Sequence, residues 1–206
     1  MLSTTPAFAA NPTSSSFAGY LASQAQVSST NANFPVPRIT CDVGSNLAMG
    51  VGALMFGNSP NPTATGAIIR TECVNGTPSY SVGVILNGTK TAPTLRVHPG
   101  NLIEIDLAES ASATTISVAN HTSGRAVAQS TGSGVAMTLG EIGILGISGT
   151  AGPPAFKAVT FSGSLVNGMA LDALSPAPGA WDWANSGVTV IHTSRITSDV
   201  FKTKFI

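Results

Sequence analysis

Leu102-Ile103-Glu104-Ile105-Asp106-Leu107 alternates aliphatic and acidic side chains with a period of two. In an extended chain that period puts Ile103, Ile105 and Leu107 on one face and both carboxylates on the other, the signature of a half-buried strand. The same kind of stretch recurs on either side. Upstream are Phe17–Ser23, Val27–Phe34, Leu47–Phe56, Ala67–Glu72, Tyr80–Leu86 and the short Leu95–Val97. Downstream are Thr114–Asn120, Ala126–Ser130, Ala136–Ile147, Ala158–Leu165 and Val188–Ile196. Turn pairs such as Asn75-Gly76, Asn87-Gly88 and Pro99-Gly100 fall between them, as hairpins require. A helical period free of Gly and Pro is not sustained anywhere. About ten to twelve strands in one chain close most naturally as an antiparallel two-sheet β-sandwich or jelly roll. The expected organisation is an N-terminal arm or signal remnant over residues 1–16 and a single sandwich domain over residues 17–206.

Composition narrows the function classes. Charged residues are 9% of the 206, aromatics 6%, and nine Lys+Arg cancel nine Asp+Glu; an ordinary soluble domain carries roughly 25% charged residues. A nucleic-acid binder needs a basic face to neutralise phosphates, and no cluster of Lys or Arg occurs along the sequence, so nucleic acid is not an expected partner. With 43% hydrophobic residues and a mean hydropathy of +0.29 the chain is no solvated disordered segment. Every apolar run is broken by Gly or Ser well short of the ~18 residues of a helical membrane span. What covers the surface is Ser, Thr, Asn and Gly, typical of extracellular or assembly-forming proteins. Cys41 and Cys73 suggest one disulfide in a secreted chain and two buried thiols in a cytosolic one. Ala7-Phe8-Ala9 has the small-x-small form of a signal cleavage site, without the basic and apolar regions that precede one.

Chemistry-bearing patterns are sparse. His98, His121 and His192 stand far from each other and from any Cys or carboxylate at ligand spacing, so no metal site is expected. No phosphate-binding glycine fingerprint or nucleophile elbow is present, and no cofactor is implied. Asn75, Asn87 and Asn120 head Asn-x-Ser/Thr sequons of the kind that chance produces in so polar a chain. Trp181-Asp182-Trp183 sets two indoles on one face if extended. They either stack on a sugar ring or cover the open end of the sandwich after the Pro-rich break at Ser175–Pro178, the commoner fate of large aromatics.

The order of several short patterns is more informative. Phe17-Ala18-Gly19-Tyr20 precedes Val36-Pro37 and Thr40-Cys41; Gly50-Val51-Gly52 precedes Cys73-Val74-Asn75-Gly76-Thr77-Pro78-Ser79-Tyr80. Val97-His98-Pro99-Gly100-Asn101, Gly140-Glu141-Ile142 and Phe156 with Val159-Thr160-Phe161 follow. This series resembles the bacterial branch of the glutamic peptidase (eqolisin) family, whose members run N-W-A-G-Y, V-P with T-C, W-V-G, C-x-G-T-P-x-Y, V-x-P-G-D, A-E-W-I and F-G-x-V-x-F. The resemblance implies a concanavalin-like antiparallel sandwich and a bonded Cys41–Cys73 pair, which would close a loop of about thirty residues and contribute about 3–4 kcal/mol in the loop-entropy model. It also implies acid hydrolysis by a Glu–Gln pair, the Glu as general acid/base on a water and the Gln amide holding that water and the oxyanion.

Glu141 falls at the position of the family's glutamate. The strand that should carry the Gln aligns with Ala67-Ile68-Ile69-Arg70-Thr71, so the Gln position is Ile68 or Arg70, depending on register. Ile donates nothing, and an Arg would pair with the glutamate and lower its pKa. The groove aromatics are gone as well: Phe17 stands for the first Trp, Gly50 for the second, Gly83-Val84-Ile85 for the acidic aromatic run and Ile142 for the last. The sequence therefore points first to a non-catalytic sandwich at a cell or particle surface that assembles with itself or with another shell protein. The alternatives are an acid endopeptidase acting through Glu141 and a carbohydrate-binding module using Trp181 and Trp183.

Overall fold

A computed structural model of the protein describes residues 10–57, 63–132 and 136–206. The arm expected over residues 1–16 has its first nine residues outside this set. The described residues form eighteen strands. The first seven are β1 (Thr13–Ser14), β2 (Phe17–Ser23), β3 (Ser29–Pro35), β4 (Ile39–Thr40), β5 (Ala48–Gly57), β6 (Ala64–Val74) and β7 (Thr77–Leu86). Next come β8 (Thr89–Thr91), β9 (Leu102–Glu109), β10 (Ala113–Asn120), β11 (Arg125–Gly132), β12 (Met137–Gly146) and β13 (Ala155–Phe156). The last are β14 (Val159–Val166), β15 (Met169–Ala170), β16 (Gly179–Asn185), β17 (Val188–Thr193) and β18 (Phe201–Phe205), with one 3₁₀ turn at Leu171–Ala173.

The protein is an all-β antiparallel sandwich. Its main path of neighbours runs β11-β10-β9-β3-β14-β18-β17-β16-β2-β12-β5-β6-β7-β8. The path folds over itself, so that β5 lies across β3 and β9, and β6 and β7 lie across β10. Strands β18 and β17 carry it from one layer to the other. At its far ends the Thr91 hydroxyl of β8 donates to Gln129 Oε1 of β11 at 2.8 Å, tying the two edges together. Among the described residues only the short β1 pairs in parallel, with β16.

The period-two reading of the 102–107 stretch holds residue by residue. Ile103, Ile105 and Leu107 are wholly buried, while Glu104 and Asp106 face outward. They meet Met49, Val51, Ala53 and Met55 of β5 and Ile142 and Ile144 of β12 in one core. Phe161 stacks on Phe201 at 4.7 Å between ring centres and meets Phe34 at 5.4 Å; Tyr20 sets its edge on Phe201 at 4.8 Å.

Asn75-Gly76 and Asn87-Gly88 have positive φ at both residues, at 50° and 79° and at 48° and 80°, as two-residue type I′ hairpins demand. Asn167-Gly168 and Ser186-Gly187 repeat the device. Leu95–Val97 differs from its reading as a strand. It is a buried loop, Leu95 and Val97 packing inward without a ladder, held between Pro93 and Pro99. Strands β16 and β18 are additions. Phe201–Phe205 alternates buried and exposed residues but spans only five positions, too short to stand out between loops. Cys41 and Cys73 are bonded with Cα atoms 5.6 Å apart, within ordinary disulfide geometry, and the bridge pins the loop before β5 to the end of β6.

One feature of the β2–β12–β5 layer sets its shape. Register places Gly19, Gly143 and Gly52 side by side on three adjacent strands. A Cβ on Gly19 would lie 2.2 Å from Ile142 O, on Gly143 2.3 Å from Ala18 O, and on Gly52 2.2 Å from Ala67 O. The outer face is thus folded so tightly along this row that neighbouring backbone occupies the space of a side chain, and Gly19 adds a φ of +152°. Gly143→Ala is expected to destabilise the protein by about 2–4 kcal/mol, the cost of forcing backbone apart in a packed layer. Gly132→Ala, at an open position of β11, is expected to stay within about 0.5 kcal/mol of the parent. Urea denaturation of both variants checks this, and equal midpoints would refute the tight approach.

Candidate functional site

Strand β12 alternates Ile142 and Ile144 inward with Glu141 and Leu145 outward. Glu141 therefore stands on the outer face, two residues from Gly143 of the tightly folded row. Its register neighbours are Leu21 on β2 and Leu54 on β5. The carboxyl opens into a depression of about 390 Å³ lined by Ser14, Ser16, Phe17, Leu21, Phe56, Leu145, Gly146 and Trp181. Among the described residues it makes no hydrogen bond and no ion pair. Burial against leucines and aromatic rings pushes its pKa up from 4.5 to about 7, because water that would solvate the anion is displaced and nothing replaces it.

The two residues expected opposite Glu141 stand on the same face of β6. Leu54 separates Glu141 from Gly66 in register, and Ile68 and Arg70 follow two and four residues along. Strand spacing and rise then put Ile68 about 12 Å and Arg70 about 17 Å from Glu141 between Cα atoms. Arg70 does not turn toward Glu141. Its Nε and Nη2 donate to Glu72 Oε2 at 2.8 and 2.7 Å, so the ion pair that would have lowered the glutamate's pKa is made with a neighbour on its own strand. No amide side chain lines the depression.

Sequence reasoning did not foresee how the depression gets its rim. Asp182 of β16 is buried and gathers residues remote in sequence. Its Oδ1 accepts from Asn11 Nδ2 at 2.9 Å and from Thr193 N at 2.7 Å, and its Oδ2 lies 2.9 Å from His192 Nδ1. Asn11 Nδ2 also donates to Thr193 O at 2.9 Å, and Asp182 N donates to Pro12 O. This clasp holds β1 beside β16, and Gly146 N donates to Ser16 O at 2.7 Å, so that Ser14 and Ser16 border Glu141. An isolated Asp between two indoles carries no linear signal of such a role.

The indoles part company. Trp181 is half-buried and lines the Glu141 depression, whereas Trp183 is 4% exposed and borders a second depression with Thr150 and Asn185. They form no shared exposed platform. Of the histidines, His121 Nε2 lies 2.9 Å from Glu104 Oε2 and His192 meets Asp182, both pairs brought together across strands. No group of three or more potential metal ligands occurs among the described residues, and none of their helices is long and apolar enough to cross a membrane. Asn120 is 1% exposed and its amide donates to Arg96 O and Asn101 Oδ1, so of the three sequon asparagines it is closed to a glycan in the folded protein.

The raised pKa of Glu141 makes folding bind a proton. The stability linked to this group is complete below pH 4.5, falls as pH rises toward 7 and stays low above that. Glu141→Gln is accordingly expected to match the parent at pH 4 and to exceed it by about 2 kcal/mol at pH 8. Urea midpoints of both proteins at the two pH values measure this; a difference independent of pH would show that the carboxyl is well solvated.

No sequence-family model matches the chain, and no curated protein matches it by sequence. Solved structures do match it in shape. Scytalido-glutamic peptidase superposes with a TM-score of 0.70 at 17% identity, covering 93% of this chain and 98% of the other. SCP-B, a member of the eqolisin family, gives 0.68 at 15% identity over 93% and 98%. Aspergilloglutamic peptidase from Aspergillus niger gives 0.64 at 17% identity over 78% and 99%. At these identities the likeness establishes the fold: the chain has the β-sandwich architecture of the eqolisin glutamic peptidases along most of its length.

Proposed function

We propose that this protein is a non-hydrolytic member of that architecture, a surface or assembly subunit working outside the cell, whose curved face packs against a partner or a second copy instead of a peptide substrate. The observation that carries the reading is the Glu141 carboxyl without a donor beside it. A glutamate acting on water through a tetrahedral intermediate needs a group that holds the water and the developing oxyanion, and removing one preorganised donor typically costs about 10²–10³ in rate. Ile68 offers no polar atom, and Arg70 is engaged by Glu72. The positions expected to carry groove aromatics at Gly50, Gly83 and Ile142 hold no ring, which weakens substrate orientation as well.

The same face favours burial against another surface. Below pH 7 Glu141 is neutral; the half-buried Leu21 and Leu145 lie beside it, and Ile68 and Ile85 continue the apolar face farther across the layer. The Arg70–Glu72 pair compensates its own charge. The disulfide is compatible with an oxidising extracellular compartment, and the neutral Ser/Thr/Asn surface with an assembling subunit. Residues 17–206 act as one sandwich in this reading. The acid-endopeptidase alternative keeps one argument, a desolvated carboxyl poised as a proton donor.

Incubation of the protein with unfolded casein between about pH 2 and pH 7 distinguishes the two. No cleavage above buffer is expected from the parent or from Glu141→Gln. Cleavage by the parent that Glu141→Gln abolishes would establish the peptidase. Sedimentation velocity tests the assembly half, with a species larger than the 20.7 kDa chain expected; a monomer at every concentration, with no heavier species at any pH, would reject self-assembly.

A further inference from the structure

In a chain so poor in charge, a depression of about 350 Å³ at one end of the β9–β10–β11 layer gathers two arginines and a histidine. Arg96, His98 and Arg125 line it together with Asn101, Asn120 and Ser123. Arg96 and Arg125 are exposed and make no ion pair among the described residues, and the acid on the adjoining strand, Glu104, is engaged by His121 and Asn31. The two guanidiniums reach the depression from separate elements. Arg96 comes from the loop before β9 and Arg125 from the start of β11, beyond the β10–β11 turn.

Those elements are locked to each other by a buried amide. Asn120 Nδ2 donates to Arg96 O and to Asn101 Oδ1, both at 3.0 Å. Its own Oδ1 accepts from Ser123 N at 3.2 Å, while Asn101 Oδ1 also accepts from His98 N at 2.9 Å. Asn101 N donates to His98 O at 3.0 Å, closing the 98–101 turn. The side-chain oxygens of Asn101 and Asn120 are both used internally, so what the amides leave for the depression is the Asn101 Nδ2, alongside the two guanidinium forks and the His98 ring. Like-charged arginines brought to one place without an acid repel one another, and a rigid frame that holds them there is matched by an anion that accepts from both.

We infer that the Arg96–His98–Arg125 depression is a binding site for a single oxyanionic group, a phosphate, a sulfate or a carboxylate, recognised by two guanidinium forks. The site is separate from the Glu141 face and does not rest on the function proposed for it.

Isothermal titration calorimetry at constant ionic strength, with inorganic phosphate, inorganic sulfate and glucuronate as probes and chloride as background, tests the inference. Saturable binding of at least one probe is expected; phosphate or sulfate alone would assign a tetrahedral ligand, and glucuronate alone a carboxylate. Arg96→Ala and Arg125→Ala are each expected to weaken binding about tenfold, the loss of one charge-assisted contact. The double variant should abolish it. Lys204→Ala, which removes the same charge from exposed β18, should bind as the parent does. All replaced side chains are exposed, and unchanged melting temperatures confirm that the variants fold. The absence of saturable binding for all three probes, or equal binding by the parent and the double variant, would overturn the proposal.

Discussion

The close approach of backbones along Gly19, Gly143 and Gly52 is the constraint on which this molecule depends. Three adjacent strands give up side chains in one row, and the neighbouring carbonyls at Ala18, Ile142 and Ala67 take the vacated space. A layer that can bend so sharply presents an outer face with a depression in it, even though that face is built from a regular ladder. The row also decides what surrounds Glu141. With Gly143 two residues on and leucines to either side in register, the carboxyl is desolvated by apolar groups and takes no hydrogen bond among the described residues. The bend and the raised pKa are two consequences of one arrangement.

Much of this was legible because period-two patterning and turn chemistry are local. Phe17–Ser23 coincides with β2, and the Asn-Gly pairs close their hairpins with positive φ. Leu95–Val97 misled because two buried aliphatics flanking an exposed Arg96 look alike in a strand and in a loop tucked under one, and only the missing ladder separates them. Glu141 could be singled out from the order of short patterns, but its environment could not. Whether Arg70 pairs with Glu141 or with Glu72 is settled by strand register, which sets Arg70 about 17 Å along from Glu141 and leaves it to the partner on its own strand. The Asp182 clasp joins Asn11, His192 and Thr193 across most of the chain's length, a convergence that no spacing rule announces. The cationic depression was hidden in the same way: Arg96 and Arg125 are 29 positions apart by number, and no linear run of basic residues marks them.

The few charges follow a consistent division. Carboxylates on the strand faces find partners close by: Glu72 takes Arg70, Glu104 takes His121, and Asp182 takes a histidine, an amide and a backbone N–H. Among the described residues Asp106 stands without a partner on the open face of β9; the two exceptions that do not lie in the open are Glu141 on one layer and the Arg96–Arg125 pair on the other. Both exceptions lie in depressions, where an unpaired ionisable group costs more than on an open surface and so points to something that binds there. The costs differ in kind. Desolvation lets Glu141 shed its charge by taking up a proton, whereas arginine cannot deprotonate at accessible pH and can be relieved only by an anion or by solvent.

In the non-hydrolytic reading proposed above, this contrast accounts for a peptidase-like depression that lacks the second half of the chemistry. Hydrolysis by a glutamate needs two things at the carboxyl: an environment that holds it protonated, and a donor that carries the negative charge forming on the substrate. The first comes here from the architecture, from leucines fixed by register and a bend fixed by glycine. On the proposed reading the second would come from a single side chain on β6, and nothing in the packing of the sandwich requires that side chain to be an amide. Ile68 and Arg70 both sit on the outer face without disturbing the core beneath, where Ala67 and Ile69 point inward. The fold therefore supplies the proton donor as a by-product of its own stability, while the oxyanion partner depends on one position that is free to vary. On the proposed reading, this chain keeps its elevated glutamate and its depression while the position that would carry the oxyanion partner has drifted.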